Sequence, residues 1–308
     1  MIAVISGGVG AARFLSGLMQ VVEPAEITAI GNVGDDIELH RLHVSPDLDT
    51  ITYTLARAIN PDTGWGLTDE SWQAMESLGR YGGVTWFNLG DRDLGTHLYR
   101  SGRLSEGATL SEVTEEITRA WGVEIALLPA TNDRLRTMIT VAGEGEISFQ
   151  EYFVHRQHSV PVTGIRFDGA EASRPAPGVL EAISAAQIVI IAPSNPLVSI
   201  DPVLAVPGVR DAVCSQRHRT VAISPIVAGA ALKGPADRLM RELGHVPSVV
   251  GVSEIYAELA STLIVDAADA ALAEGVEAAG QRCIVAPTIM SDAAAARALG
   301  ETVLGAFG

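Results

Sequence analysis

Four aspartates fall close together in the segment NVGDDIELHRLHVSPDLDT, Asn32 to Thr50: Asp35 and Asp36 form one pair, Asp47 and Asp49 another. Carboxylates so crowded raise one another's pKa unless a cation or a basic group offsets them. A hard divalent cation does this economically, and Mg2+ takes one or two carboxylates together with substrate phosphate oxygens and water. The pattern points to metal-assisted chemistry on a phosphorylated substrate. A plainer use of Asp47 or Asp49 is to cap the helix that TITYTLARAI announces, a routine place for Asp. Four aspartates on two loops favour the metal. On this view Asp49→Asn spares the fold, because it relieves like-charge crowding.

A second motif, SGGVGAARF (Ser6 to Phe14), sets Gly7, Gly8 and Gly10 where a strand turns into a helix. Such glycines let a phosphate approach backbone N–H groups at the positive end of a helix. The third glycine of a dinucleotide fingerprint is missing, with Ala11, Ala12 and Arg13 in its place, and no P-loop lysine follows. A tight turn alone would use the same glycines. A third cluster, WFNLGDRDLGTHLYR (Trp86 to Arg100), offers Asn88, Asp91, Arg92, Asp93 and His97 beside Trp86 and Phe87. It suits a planar ligand, or else a solvated helix start over core aromatics. Ser194-Asn195-Pro196, Ser224-Pro225-Ile226 and Lys233-Gly234-Pro235-Ala236 add small polar loops fit for a nucleotide's base and ribose.

These motifs need a frame to hold them. IAVIS (Ile2 to Ser6), EITAIGN (Glu26 to Asn32), AQIVIIAPSNP (Ala186 to Pro196), RTVAISPIVAG (Arg219 to Gly229) and RCIVAPTIM (Arg282 to Met290) read as buried strands. Helical spacing lies between them, as in ARFLSGLMQVV (Ala12 to Val22), and SDAAAARALGETVLGAF (Ser291 to Phe307) reads as a capped last helix. The alternation predicts a Rossmann-like, doubly wound α/β fold whose mostly parallel sheet is covered on both faces. Ligands of such sheets sit beyond the carboxyl ends of the strands, where these motifs fall. From Thr50 to Trp121 the chain reads as largely helical, with a capping box at Thr109 and Glu112. EIALLPA, TMITVAG, EISFQEYFV and VTGIRFDG then follow as closely spaced strands of an antiparallel insertion. The expected organisation is one elaborated domain over 1–308, with a core of 1–50 and 170–308 and an insertion of about 51–169.

A net charge of -16 argues against a nucleic acid partner, whose backbone requires clustered Lys and Arg. No apolar run approaches the roughly 18 residues of a membrane span, so no membrane partner is expected. Met1 leads straight into IAVIS with no room for a secretion signal, which makes the cytoplasm the expected location. Cys214 and Cys283, far apart in apolar surroundings, read as reduced.

GGVGAARFL, NVGDD, SPDLDTITYTL, LGDRDLGTHLYR, ISFQEYFV, APSNPLVSI and ISPIVAGAALKGPADRLM occur in the order and approximate spacing of one family. From Met1 to about Gly251 the chain resembles the 2-phospho-L-lactate transferases of coenzyme F420 biosynthesis. DTGWGLTDESW, Asp62 to Trp72, is similar to their actinobacterial, phosphoenolpyruvate-transferring branch. The resemblance implies transfer of phosphoenolpyruvate or 2-phospholactate from a guanosine-diphospho-linked donor to the deazaflavin Fo, giving GMP and dehydro-F420-0 or F420-0. It implies Mg2+ on Asp35 and Asp49, catalysis by these two with Arg92, and a homodimer. Gly7, Gly8, Gly10, Ser194, Asn195, Pro196, Ser224 and Pro225 would grip the nucleotide. Asp49, Asn88 and Arg92 would face Fo, with Asn32, Asp36, Thr50 and Asp91 completing the site. Asp36, Asp47 and Asp91 stay open as the general base. Glu38, Asp201 and Gly95 depart from the family pattern without removing a motif aspartate. The competing readings are an NAD-binding oxidoreductase and a noncatalytic nucleotide-binding protein.

Overall fold

The computed structural model describes residues 1–307. Its strands are β1 (Ile2–Ser6), β2 (Ile27–Gly31), β3 (Ile37–Leu39), β4 (Leu42–Val44), β5 (Ala126–Pro129), β6 (Arg136–Val141), β7 (Gly145–Ser148) and β8 (Val162–Asp168). They continue as β9 (Ile188–Ile191), β10 (Thr220–Ile223), β11 (Ile226–Val227), β12 (Ala230–Ala231), β13 (Thr262–Val265) and β14 (Arg282–Val285). The first helices are α1 (Gly8–Leu18), α2 (Pro46–Leu55), α3 (Gln73–Arg80), α4 (Asp93–Ser105) and α5 (Leu110–Ala120).

Seven strands pair in parallel in the order β14-β13-β10-β9-β1-β2-β5, as the doubly wound reading expects. Strand β1 is buried along its whole length, and each of its Val or Ile side chains contributes roughly 1.5–3 kcal/mol by leaving water. Helix α1 lays Phe14, Leu15 and Leu18 against the core and is backed by the helix Ala293–Gly305. Asp292 caps that last helix by accepting from the Ala295 N–H. The Thr109–Glu112 capping box at the start of α5 is present in both directions.

Two sequence expectations about the middle of the chain need correction. EIALLPA belongs to the main sheet, because β5 pairs in parallel with β2, Thr28 opposite Ala126. Parallel neighbours need a covering crossover, and α2 to α5 supply it between these two strands. EISFQEYFV leaves strand geometry after Ser148 and closes into a π turn over Glu151–His155 that buries Tyr152. The antiparallel sheet thus has three strands, in the order β7-β6-β8. It touches the aspartate loop directly: Thr137 N–H donates to Gly34 O at 2.7 Å, and Gln150 Nε2 donates to Asp35 O at 2.9 Å. Among the described residues no helix is long and apolar enough to cross a membrane, and Cys214 and Cys283 are free thiols.

Candidate functional site

A cavity of about 810 Å3 opens where β1, β2, β9 and β10 end, and loops from the rest of the chain close around it. The turn after β1 is shaped by glycine. Gly8 has φ +56°, a left-handed conformation that side chains adopt at a cost, and a Cβ on Gly10 would run into the carbonyl oxygen of Pro193. This close approach holds the loop after β9 against α1, and Ser194 Oγ bonds to Gly7 O at 2.5 Å.

The Ser-Pro pair decides where α2 begins. Pro46 occupies the first helical position and Ser45 the cap position, so neither Asp47 nor Asp49 is the cap. The two carboxylates, two residues apart in the first turn, point to different partners. Asp47 reaches the N-terminus of α1, where its Oδ1 lies 3.1 Å from the position a Gly8 Cβ would take, and Asn32 Nδ2 donates to its Oδ2 at 2.9 Å. The protein's own carboxylate thus fills the place expected for a phosphate. Burial, then the charge of Asp36, pushes the Asp47 carboxyl up to about 7 against the pull of Asn32 and Gly8. Asp35 is raised well above the usual carboxylate range, by burial first and by the charge of Asp47 second. Its Oδ1 is buried without a hydrogen-bond partner. Asp36 lies behind the cavity wall, its Oδ2 accepting from Ser45 Oγ at 2.9 Å and lying 2.8 Å from His43 Nε2.

Asp49 has a different environment. On α4, Asp93, His97 and Arg100 recur at intervals of four and three, and on α2 Asp49 and Tyr53 are four apart, so each set shares a helix face. Arg100, only 2% exposed, donates Nη1 to Asp49 Oδ2 at 3.1 Å and Nη2 to Asp49 Oδ1, and reaches His43 O at 3.3 Å. His97 sits between carboxylates, 3.8 Å from Asp49 and 3.2 Å from Asp93, and Tyr53 OH bonds to Asp93 Oδ1 at 2.6 Å. Burial raises the Asp49 carboxyl although Arg100 and His97 oppose it. Burial also acts to raise Asp93, but His97 and Tyr53 outweigh it and hold that carboxyl low. The expectation that Asp49→Asn spares the fold is therefore corrected: it would leave the Arg100 guanidinium buried without its counter-ion.

Of the residues expected at the site, Gly7, Gly8 and Gly10, then Asp35, Asp49 and Thr50, then Asn88, Ser194, Asn195, Ser224 and Pro225 line the cavity. Asn32, Asp36, Asp91, Arg92 and Pro196 do not. Asp91 instead accepts from Ser71 Oγ and from the Gln73 and Ala74 N–H groups at the start of α3, and these bonds lower its pKa. Arg92 donates Nη1 to Thr68 O at 2.5 Å. Asn195 Oδ1 accepts from the Leu197 N–H at 3.0 Å, which turns the chain into Pro196–Ile200. Sequence reasoning missed Arg100 and Tyr53, which the polar spacing on α2 and α4 would have flagged. It also missed Phe149 and Phe153, stacked 5.4 Å apart on the wall shared with Trp86 and Phe87.

No cluster of three or more metal-binding side chains occurs among the described residues. A cation held here would lean on few protein ligands, a requirement that Mg2+ tolerates. Asp35 has an unspent oxygen to offer, whereas Asp49 meets a metal only in exchange for Arg100.

Comparison with known proteins bears on the whole chain. Residues 2–302 match the model of the family described as 2-phospho-L-lactate transferase CofD. A phosphoenolpyruvate transferase of Streptomyces griseus is 46% identical over 308 residues, covering 98% of this chain and 97% of that one. The enzyme of the same name from Mycolicibacterium smegmatis is 40% identical, with coverages of 97% and 96%. A crystal structure of a upf0052 family protein from Bacillus halodurans superposes with a TM-score of 0.64 at 18% identity, covering 98% of each chain, and shares the fold.

Proposed function

The chain belongs to the 2-phospho-L-lactate transferase CofD family, and from that premise we propose that it transfers a phosphoenolpyruvyl group, or its 2-phospholactyl counterpart, to the deazaflavin Fo in coenzyme F420 biosynthesis. The donor is guanosine-diphospho-linked. The terminal ribityl hydroxyl of Fo attacks the phosphorus that carries the enolpyruvyl oxygen. The bond from that phosphorus to the bridging diphosphate oxygen breaks, its electron pair leaves with GMP, and the hydroxyl proton passes to a base.

Among the three candidate bases, Asp47 alone faces the cavity, and burial raises its carboxyl, which makes it a better proton acceptor than an ordinary aspartate. Mg2+, when bound, would offset charge on the diphosphate and lower the pKa of the attacking hydroxyl. Asp35 would hold it through Oδ1, with Asp49 as the second carboxylate. The glycine turn, Ser194, Asn195 and Ser224 would grip the nucleotide. Asn88, with the aromatic wall of Trp86, Phe87, Phe149 and Phe153, would hold Fo, since a planar ring gains from offset stacking.

The observation that carries this reading is that the uncompensated Asp35 and Asp47 share one cavity with the glycine turn and the aromatic wall. The relatives named phosphoenolpyruvate transferase favour the enolpyruvyl donor. Incubating the purified chain with Fo, the enolpyruvyl donor and Mg2+ should release GMP and give a product lighter than F420-0 by two hydrogens. Fo recovered unchanged, with no GMP formed from either donor, sinks the proposal.

A further inference from the structure

The cavity is poor in positive charge. Asp35, Asp47, Asp49 and Asp93 line it, but among the described Lys and Arg side chains only Arg13 and Lys233 do. Lys233 is the only lysine among the 21 Lys and Arg residues of the sequence. It follows the β11–β12 hairpin, is exposed, and has neither a hydrogen bond nor an ion pair among the described residues. Its position is nonetheless defined. A Cβ placed on Gly64 would fall 2.7 Å from Lys233 Nζ and 3.9 Å from Val9 Cγ1. The amine therefore lies close to Gly64, and Val9 of the glycine turn lies near the same residue. Gly64 has φ +73°, in a loop closed by the Ile59–Leu67 bridge. Arg13, farther along α1, has one long hydrogen bond, from Nη1 to Met290 O at 3.5 Å.

Asp47 already fills the N-terminus of α1, so an incoming polyanion must find its counter-charge elsewhere. We propose that Lys233 and Arg13 form the anion-binding side of the cavity and take the diphosphate of the nucleotide. Lys233 supplies a compact charge with three donors able to follow a phosphate as it moves, whereas a planar guanidinium would fix one geometry. Only the identity of the anion as a guanosine diphosphate rests on the transferase reading; the anion site itself does not.

The solitary lysine makes a selective test possible. Reductive methylation of the native protein, read by mass spectrometry, modifies just Lys233 and the N-terminal amine. With Mg2+ present, GDP and inorganic pyrophosphate should slow methylation of Lys233 and not of the N-terminal amine, and guanosine should slow neither. By calorimetry, Lys233→Ala should weaken GDP binding about tenfold, the worth of one charge-assisted hydrogen bond, and Lys233→Arg should retain most of the affinity. Methylation of Lys233 that neither anion diminishes even in large excess, or wild-type GDP affinity in Lys233→Ala, overturns the assignment. Protection by pyrophosphate without protection by GDP upholds the anion site and removes the guanosine donor instead.

Discussion

Asp47 and Asp49 stand two residues apart in one helical turn, and the fold treats them in opposite ways. Asp49 is compensated: a buried arginine binds both its oxygens, and His97, Asp93 and Tyr53 extend the network across two helices. Asp47 joins Asp35 in a pair with no cation beside it; burial drives both carboxyls upward, helped by the charge of Asp47 at Asp35 and that of Asp36 at Asp47. Successive odd positions on a helix face nearly opposite directions, so a two-residue step separates a carboxylate paired with an arginine from one left without a cation. Charge left uncompensated in a fold is kept for a ligand or a proton, and charge already paired holds helices together.

The comparison breaks first at Arg100. Arg100→Ala should cost about 3–5 kcal/mol of stability by stranding a buried carboxylate, and Asp49→Asn about as much by stranding the guanidinium. Urea unfolding measures both; a loss under about 1 kcal/mol in each means the network is ornamental. Next comes the uncompensated side. Asp35→Asn should lower turnover about a hundredfold or more while leaving the urea midpoint at or above that of the wild type, because it relieves crowded charge. An active Asp35→Asn enzyme ends the metal assignment.

The third test uses pH in metal-free protein. Asp47 is raised from 3.8 to about 7, so the folded chain holds a proton that the unfolded chain releases. Its contribution to stability is present below pH 3.8 and is lost as pH rises to about 7. Asp47→Asn should remove up to about 1.4 kcal/mol per pH unit of that decline, leaving the part due to Asp35. An unaltered slope between about pH 4 and pH 7 contradicts the uncompensated pair. The smallest effect belongs to Arg92, which donates to Thr68 O and is not among the cavity-lining residues. Arg92→Ala should change stability by no more than about 0.5 kcal/mol and raise the KM for Fo a few-fold at most. A collapse of turnover would return it to the catalytic set.

Much of this was legible in the residues because it is local. Apolar runs ending in glycine or proline gave the strands of the main sheet, and Thr109 with Glu112 marked a helix start that two reciprocal hydrogen bonds confirm. The strand at Ala126 was assigned to the wrong sheet because pairing partners lie outside any local window, and the residue content of EIALLPA suits either sheet. Arg92 looked catalytic because it sits among motif residues, while Arg100 at the end of the same motif was passed over. Only the crossing of α2 and α4 distinguishes them, since it buries one guanidinium and leaves the other in solvent.

The sequence by itself determined that carboxylates, glycines and aromatics would gather at the carboxyl ends of a parallel sheet, because periodicity and turn chemistry are written in neighbouring residues. Tertiary structure alone decided which carboxylates are free. That depends on Gly8 meeting Asp47 and on Arg100 meeting Asp49, across 39 and 51 positions of chain. The strength of a charge interaction is set by distance and burial, and neither exists until the helices have packed.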